Sequence, residues 1–353
     1  MHLKIYSREE IVALTRKRHL ESKIGEQVDY IKHQTDLKEE IKASKAHFVL
    51  LGLPEDIGVR ANYGRGGTHT AWKPALENIL NLQSNEFLSG KEILVLGHVD
   101  FDDLMEKASH IHTKDRSSIE KLRKLVEFVD VRVFETIKLI ISCGKIPIII
   151  GGGHNNAYPN IKGVNEGLRE SGKMKVKGIN VVNCDPHADF RPLEGRHSGN
   201  GFSYAFEENI LHKYAIVGLH ESYNTDNVVN KFRNNEGLNY TTFEDIFIRE
   251  KISFPEAIKQ CCDFCNDNYC GVELDLDAIT NVPSSAKTSS GISPLQARQY
   301  VYHAAGQLNK VSYLHVCEGA PVLAHIKADN KTGKLIAYLV SDFMKGVLEK
   351  EKN

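Results

Sequence analysis

The sequence has almost no net charge and no long apolar run. Its 353 residues carry 45 Lys and Arg against 46 Asp and Glu, for a formal net charge of −1. The chain therefore lacks the positive excess by which proteins hold nucleic acid or an anionic membrane surface, and neither partner is expected. No apolar stretch approaches the ~20 residues that crossing a bilayer requires, so no membrane span is expected.

The N-terminus also lacks the apolar core of a secretory signal, since residues 1–10 read MHLKIYSREE. The seven cysteines are an odd number scattered over a long chain, which is typical of free thiols in a reducing compartment. Both features favour a cytoplasmic location. One group of cysteines suggests a zinc site, but no second spaced pair completes a tetrahedron, and burial as small apolar side chains is the favoured interpretation. This group is Cys261, Cys262, Cys265 and Cys270.

No internal repeat, low-complexity segment or Pro/Gly-rich linker divides the chain. Hydrophobic residues make up 41% and charged residues 26%, which is ordinary for a globular protein. We therefore expect a single catalytic domain over residues 46–353. Residues 1–45 are charged and helix-prone and carry no catalytic signature. They are predicted to form a helical N-terminal extension that packs on the core or on a partner subunit.

From His47 onwards, short apolar runs alternate with amphipathic segments. Runs without polar residues are typical of strands in a parallel sheet that helices cover on both faces. Helices are predicted over about 116–142 and about 294–309, the second opening with Ser293 as a cap before Pro294. This alternation predicts a doubly wound α/β fold. The predicted strands are Phe48–Gly52, Ile93–Gly97, Ile146–Ile150, Gly178–Asn183, Tyr214–Gly218, Gly271–Asp275 and Val311–Val316.

Four aspartates and two histidines stand at or just after the ends of three of these strands. The Asp-Pro-His-Ala-Asp segment that begins at Asp185 spaces its three polar side chains by two residues, which points them to one side of an extended chain. In doubly wound folds ligands bind at the carboxyl ends of the strands, so these residues are expected to meet. The six candidate metal ligands are His154, Asp185, His187, Asp189, Asp275 and Asp277.

Each of these residues has an ordinary explanation when it is taken alone. A D-x-H-x-D segment can be a polar turn, His154 a hydrogen-bonded histidine, and the paired aspartates a cap. Their joint occurrence favours a metal centre, because several carboxylates buried together are very costly without a cation. Two divalent ions supply four positive charges against four carboxylates and a bridging hydroxide. Oxygen donors with two imidazoles favour manganese over a thiolate-preferring metal.

The glycine run before His154 and the two aspartate motifs resemble the metal-binding motifs of the arginase/agmatinase/formimidoylglutamase (ureohydrolase) superfamily, over about residues 46 to 345. The resemblance implies an α/β/α sandwich around a mainly parallel, about eight-stranded sheet. It implies a hydrolase of linear amidines with two Mn2+ per subunit, assembled as a homo-oligomer. The nucleophile would be a metal-bridging hydroxide, and Asp189 would be the general acid. One ion would be held by His154, Asp185, Asp189 and Asp275, and the other by Asp185, His187, Asp275 and Asp277.

Three positions depart from the family pattern. Gly153 stands where the family often has an acid, in Gly-Gly-Asp-His. Glu273 precedes the paired aspartates where arginases have Ser-Phe, and it is expected either to buffer the metal cluster or to pair with an arginine. Phe202 occupies the position of the proton-shuttling histidine of arginases, which argues against arginase activity itself.

Basic residues on loops beside the metal site point to the substrate. Each has the alternative of being a solvated surface residue, but four together favour an anionic substrate, because guanidinium groups bind carboxylates in bidentate geometry. N-formimidoyl-L-glutamate carries two carboxylates, arginine one and agmatine none. The loop over residues 54–65 also resembles that of the formimidoylglutamases. The expected reaction is hydrolysis of N-formimidoyl-L-glutamate to L-glutamate and formamide, a step of histidine degradation. The four basic residues are Arg60, Arg65, Arg191 and Arg196.

Three further residues are candidates for contact with this small anionic amino-acid substrate. His197 and Asn200 are expected to hydrogen-bond it. Glu318 matches a substrate-orienting glutamate of the family and has the equal alternative of a helix-capping acid. Two other functions stay open: another ureohydrolase, whether an arginase, an agmatinase or a guanidino-acid hydrolase, and a metal-poor relative that binds or regulates without catalysis.

Overall fold

The apolar runs of the sequence become the strands of one central sheet. The computed structural model describes residues 2–32, 36–113, 115–174, 177–324 and 331–352. All seven predicted strands are confirmed, with small shifts at their ends. The strands are β1 Leu3–Ile5, β2 Asp29–Tyr30, β3 Phe48–Gly52, β4 Ile93–Val99, β5 Ile146–Ile150, β6 Ile179–Cys184, β7 Leu211–Leu219, β8 Leu238–Thr242, β9 Tyr269–Asp275 and β10 Lys310–Cys317.

Helices connect the strands and cover both faces of the sheet. The predicted long helix and the helix capped by Ser293 are both confirmed; the Ser293 side chain accepts a hydrogen bond from Gln296 N. The helices are α1 Arg8–Leu14, α2 Ile24–Gln27, α3 Leu37–Ala43, α4 Ile57–Ala61, α5 Trp72–Leu80, α6 Asp102–Ser109, α7 Arg116–Ser142, α8 Ala157–Glu170, α9 Gly201–Glu207, α10 Asp226–Arg233, α11 Phe243–Phe247, α12 Phe254–Phe264, α13 Pro294–Gln307 and α14 Lys331–Lys352.

The core of the sheet consists of eight parallel strands in the order β4-β3-β5-β10-β9-β6-β7-β8. This agrees with the expected mainly parallel sheet of about eight strands. Strand β8, which the sequence analysis missed, lies at one edge and has only two buried residues, Leu238 and Thr242. An edge strand needs no continuous apolar run, because much of its surface faces solvent.

The sequence analysis predicted a helical N-terminal segment, but the structure shows both helices and strands there. It contains α1, α2 and α3, but β1 pairs antiparallel with β4 and β2 pairs parallel with it. Since β3 takes the other edge of β4, these two short strands cover an edge that would otherwise expose unpaired backbone groups. The first 45 residues therefore complete the central sheet in addition to packing on it.

Side chains alternate along each strand between two apolar layers. In β3, Phe48 and Leu50 belong to the layer under α5, α12, α13 and α14, while Val49 and Leu51 belong to the layer under α7 and α8. All seven cysteines are buried free thiols, and the group near α12 lies in the first layer. Among the described residues, no helix combines the length and the apolar character needed to cross a bilayer.

Candidate metal centre

Four neighbouring strands deliver polar side chains to one edge of the sheet. Strands β5, β10, β9 and β6 lie side by side and parallel, so their carboxyl ends meet there. His154 follows β5, Glu318 follows β10, Asp275 ends β9, and Asp185 follows β6. This is the edge at which the doubly wound fold binds ligands.

The first group of candidate ligands surrounds one ring nitrogen of His154. His154 Nδ1 lies 2.9 Å from Asp189 Oδ2, 3.1 Å from Asp185 Oδ2 and 3.3 Å from Asp275 Oδ2. None of these contacts has the geometry of a hydrogen bond, so the nitrogen is buried without a hydrogen-bond partner. A buried imidazole nitrogen among three carboxylates is a donor set that a divalent cation satisfies.

A second group lies beside the first and consists of His187, Asp275 and Asp277, with candidate ligand atoms within 4.8 Å of one another. Asp275 belongs to both groups. Asp185 faces both as well, because its Oδ1 lies 3.4 Å from His187 Nδ1 while its Oδ2 faces His154. The two aspartates therefore stand between the groups, where bridging ligands are expected.

The electrostatics of the cluster also favour a bound cation. Burial together with the charges of Asp277 and Asp185 raises the pKa of Asp275 well above its usual range. Burial, with the charge of Asp185, also raises the pKa of Asp189, and burial raises that of Asp277. Positive charge placed among these carboxylates relieves the cost of ionising them together. The residues present therefore fit a two-metal site.

The neutral side chain of Asn224 fixes the loop that carries Asp185 and Asp189. Asn224 Oδ1 accepts from Ala188 N at 2.9 Å, and Asn224 Nδ2 donates to Pro186 O at 3.0 Å. Asp189 itself adopts a left-handed backbone with φ 46°, which turns the chain out of the strand direction. A left-handed aspartate is a local cost that the surrounding contacts must stabilise.

Glu55, which the sequence analysis did not single out, holds the glycine loop before His154. It is fully buried, which raises the pKa of its carboxyl, and it accepts from Gly153 N at 3.0 Å and from Asn156 Nδ2 at 2.7 Å. A Cβ at Gly153 would lie 2.6 Å from Asn155 Oδ1 and 2.7 Å from Val59 Cγ2. The acid that the family often carries at this position has no room here.

Glu273 does not pair with an arginine among the described contacts, contrary to one of the two sequence expectations. Tyr313 donates its hydroxyl to Glu273 Oε1 at 2.7 Å, and His315 Nδ1 lies 2.6 Å from Glu273 Oε2. Burial alone would raise the pKa of Glu273, but the charge and hydrogen bond of His315 and the nearby charge of His154 lower it to about 2. Glu273 therefore has its own hydrogen-bond partners beside the candidate metal ligands.

A cavity of about 940 Å³ opens onto the cluster. Asp189, Asp275, Asp277 and Glu318 belong to its wall, together with Arg191. Glu318 Oε1 accepts from His154 N at 2.6 Å, while its Oε2 is buried without a hydrogen-bond partner. Burial and the charge of Asp277 raise the pKa of Glu318 to about 8. One further cation of the wall, Lys231, was absent from the sequence prediction.

The structure does not bring the other predicted substrate residues into the wall of this cavity. Arg60 donates to the carbonyl oxygens of Ala108 and Ile111, both at 2.8 Å, and Arg65 is exposed. The remaining residues are buried: Arg196 is bound to Asn200 Oδ1 at 2.7 Å, and His197 Nδ1 accepts from Gly199 N at 3.1 Å. The side chains of Arg196, His197 and Asn200 hold the loop that follows the Asp-His-Asp motif.

Phe202, at the position of the arginase shuttle histidine, is fully buried beneath the cluster rather than in the cavity wall. Its ring packs edge-on against His154 with 5.1 Å between ring centres, and it stacks on Tyr214 at 4.2 Å. This side chain supports the candidate metal ligand His154 and cannot carry a proton.

A mainly parallel α/β sheet with candidate carboxylate and imidazole ligands at its carboxyl edge has the arrangement expected of a metal-dependent hydrolase. A sequence model described as the arginase family matches residues 46–345, and the chain therefore belongs to the arginase family. It is 26% identical over 303 residues to formimidoylglutamases of Streptococcus pyogenes, with 83% of each chain covered.

Solved structures have the same fold. A formimidoylglutamase from Bacillus subtilis matches with a TM-score of 0.71 at 19% identity, covering 95% of this chain and 94% of that one. A formiminoglutamase from Trypanosoma cruzi, solved with Mn2+, matches with a TM-score of 0.65 at 18% identity, covering 88% of this chain and 97% of that one. A hypothetical agmatinase from Burkholderia thailandensis matches with a TM-score of 0.66 at 16% identity, covering 88% of each chain.

Proposed function

We propose that the protein hydrolyses N-formimidoyl-L-glutamate to L-glutamate and formamide. The observation that carries this proposal is the composition of the cavity wall, which joins a metal-ligand cluster to the cations Arg191 and Lys231. The substrate has matching parts, an amidine at one end and two carboxylates at the other. The curated formimidoylglutamases at 26% identity support the same assignment.

Two Mn2+ ions are proposed for the two ligand groups. His154 and Asp189 would bind one ion only, His187 and Asp277 the other, and Asp185 and Asp275 would bridge them. When bound, the two ions would lower the pKa of a water molecule and polarise the amidine. The manganese in the Trypanosoma cruzi formiminoglutamase structure supports this choice of metal.

Asp189 is proposed to deliver the proton that the reaction needs. Its carboxylate belongs to one ligand group, and its side chain reaches the cavity with 12% of its surface exposed. When the C–N bond of the substrate breaks, the departing glutamate nitrogen must take up a proton. In the metal-loaded protein Asp189 would take this proton from the attacking water and pass it to the departing nitrogen.

Glu318 is proposed to orient the amidine. Glu318 is a residue of the cavity wall. Its Oε1 accepts a hydrogen bond from the backbone N–H of His154, whereas its Oε2 has no hydrogen-bond partner. An amidine carries N–H donors that would satisfy this oxygen. The hydrogen bond to His154 N fixes the carboxylate beside the metal ligands, which places the reacting carbon near them.

Arg191 is proposed to bind a substrate carboxylate at the cavity mouth. Its Nη1 donates to Asn62 Oδ1 at 2.8 Å, which holds an otherwise exposed guanidinium in one orientation. Lys231 lies in the same wall with its Nζ 3.3 Å from Glu207 Oε1, another residue of that wall, so a substrate carboxylate would compete with Glu207 for it. Guanidinium and ammonium groups together suit a dicarboxylate better than a substrate without carboxylates.

A substrate panel with purified, manganese-loaded protein tests the proposal. We expect formamide from N-formimidoyl-L-glutamate and little or no urea from arginine, agmatine or guanidino acids. Urea from one of these without formamide from formimidoylglutamate would assign another ureohydrolase activity instead. Metal analysis of the same sample is the second arm, because well under one equivalent of metal per chain would favour the non-catalytic relative.

The assembly and the location expected from the sequence accompany this proposal. A homo-oligomer is expected, and light scattering on the eluting protein tests it. The cytoplasmic location expected from the cysteine pattern stays a prediction that imaging of the tagged protein checks.

A further inference from the structure

Strands β9 and β10 carry two matched pairs of residues directly behind His154. The register of these parallel strands sets Gly271 opposite Tyr313 and Glu273 opposite His315. Because side chains alternate along a strand, all four positions face the same side of the sheet. Neither Glu273 nor its two partners belong to the two ligand groups at the cavity, although Glu273 and His315 lie with His154 and Cys317 in a separate, fully buried group of potential ligand atoms.

Gly271 makes the pairing sterically feasible. A Cβ at this position would lie 2.2 Å from Tyr313 Cε1 and 2.6 Å from the Tyr313 hydroxyl. The missing side chain thus lets the ring of Tyr313 lie across β9 and extend its hydroxyl to Glu273, two residues along the strand. The glycine on one strand and the tyrosine on the other act as one unit.

The Glu273 carboxylate is held from two sides. Tyr313 donates to Oε1 at 2.7 Å, and His315 Nδ1 lies 2.6 Å from Oε2. The other ring nitrogen of His315 lies 3.3 Å from Gly151 O, in the glycine loop that leads to His154. With Glu273 and His315 fully buried, these contacts give the carboxylate a fixed position.

This fixed carboxylate faces the rear of His154. Glu273 Oε2 lies 3.5 Å from His154 Nε2, a charge contact without the geometry of a hydrogen bond, while the Nδ1 of the same ring faces Asp185, Asp189 and Asp275. The partner of one imidazole nitrogen decides which nitrogen keeps the proton and which is free to bind a metal.

We propose that Glu273 is a positioning residue that holds His154 at Nε2 and so presents Nδ1 to a metal ion. The inference rests on the metal centre of the proposed function and concerns a residue outside it. Tyr313 and His315 act through Glu273, and Gly271 through Tyr313. Only the ion bound by His154 should be affected. His187, a candidate ligand of the other ion, has no described contact with Glu273, Tyr313 or His315.

The experiment measures Mn2+ affinity for both sites in the full-length protein by electron paramagnetic resonance titration. Glu273→Gln removes the charge at nearly constant volume, and we expect one of the two bound ions to be weakened by about 10- to 100-fold. The second ion should keep its affinity, so the signal of coupled ions gives way to that of a single ion. Tyr313→Phe should act in the same direction to a smaller extent.

Tyr300→Phe is the matched control. Tyr300 is another fully buried tyrosine, and its hydroxyl lies 3.0 Å from two backbone acceptors, Val182 O and Glu273 O, without contacting the Glu273 carboxylate. We expect its two Mn2+ affinities to equal those of the wild-type protein. Thermal melting of each metal-free variant establishes that it is folded before titration. If Glu273→Gln does not fold, Tyr313→Phe is used to test the inference.

Unchanged affinities in a folded Glu273→Gln or, in its place, Tyr313→Phe variant would overturn the inference. An equal loss in Tyr300→Phe would overturn it too, since the effect would then come from general packing. A wild-type protein that binds no Mn2+ would overturn both this inference and the metal centre on which it rests. Formamide release by the wild-type protein is scored separately, so a wrong substrate is distinguishable from a wrong role for Glu273.

Discussion

Arg196 forms a buried ion pair with Asp130, in which Arg196 Nε donates to Asp130 Oδ2 at 2.8 Å. Its guanidinium carbon also lies 4.6 Å from the ring centre of Tyr158 and 4.9 Å from that of Tyr204. A further nitrogen donates to the carbonyl of Asn155 at 2.8 Å, one residue after His154. These contacts engage the whole guanidinium inside the protein and hold the chain next to His154.

Replacing Arg196 by Ala should therefore lower stability rather than substrate affinity. The change leaves Asp130 buried without its cation, which costs about 3–5 kcal/mol of unfolding free energy. Denaturant unfolding measures this, and Arg233→Ala, an exposed position, is the control with an expected change within about 0.5 kcal/mol. A raised KM at unchanged stability would instead support a direct contact between Arg196 and the substrate.

Replacing Arg191 by Ala should raise KM for N-formimidoyl-L-glutamate by about 10- to 100-fold with little change in kcat. This range corresponds to the loss of a hydrogen bond between charged groups, about 1.5–3 kcal/mol. Arg191→Lys keeps the positive charge but loses the planar guanidinium, so its KM should lie between those of the wild-type protein and Arg191→Ala. Steady-state kinetics on the manganese-loaded protein checks the prediction, and an unchanged KM in Arg191→Ala would exclude the contact.

Replacing Asp185 or Asp275 by Asn should abolish hydrolysis and reduce the bound metal to one ion or fewer. Both residues face the two ligand groups at once, so either change removes a shared ligand. Metal analysis and formamide release are measured on the same preparation. Asp267→Asn is the control, because Asp267 binds Asn180 and Lys213 away from the ligand groups. Near-normal turnover in Asp185→Asn would refute the dinuclear centre.

Metal binding should release protons, and the affinity for Mn2+ should fall as the pH falls. The pKa values of Asp189, Asp275 and Asp277 are raised in the metal-free protein, so these carboxyls keep their protons to a higher pH than usual. A cation must displace those protons, which makes acid a competitor. Calorimetric titration in two buffers with different ionisation enthalpies measures the release, and equal heats in both buffers would contradict it.

The unfolding free energy should decrease as the pH falls from about 6.5 towards about 3, in part because of His197. Burial and the charges of Arg123 and Arg191 lower the pKa of His197 to about 3, so in this window the unfolded chain binds a proton that the folded chain does not. Its Nδ1, which accepts from Gly199 N, must stay unprotonated. His197→Asn, which offers an acceptor that does not titrate, should flatten the dependence of stability on pH in denaturant unfolding. An unchanged slope would contradict this role.

The strands and the clustering of the candidate metal ligands were predictable because their sequence signals are local. A buried parallel strand such as β5 needs apolar residues on both faces, and this appears in the sequence as an unbroken run. The spacing of Asp185 and Asp189 likewise reflects the geometry of an extended chain. Strand β8 was missed because a half-exposed edge strand leaves no such run.

The roles of the charged residues around the centre depended on partners distant in sequence. Arg191 and Arg196 stand five positions apart in one loop, yet one belongs to the cavity wall and the other pairs with Asp130 on α7. Glu273 meets His315 only because β10 pairs with β9.

By itself, the sequence determined the parallel α/β fold, the six candidate ligands and the edge of the sheet at which they meet, since strand alternation and spacing are properties of the local chain. Only the tertiary structure decided which charges face the cavity and which are neutralised in the interior. The physical reason is that burying a charge is costly without a partner, and the partner is supplied by whichever element the fold packs against it.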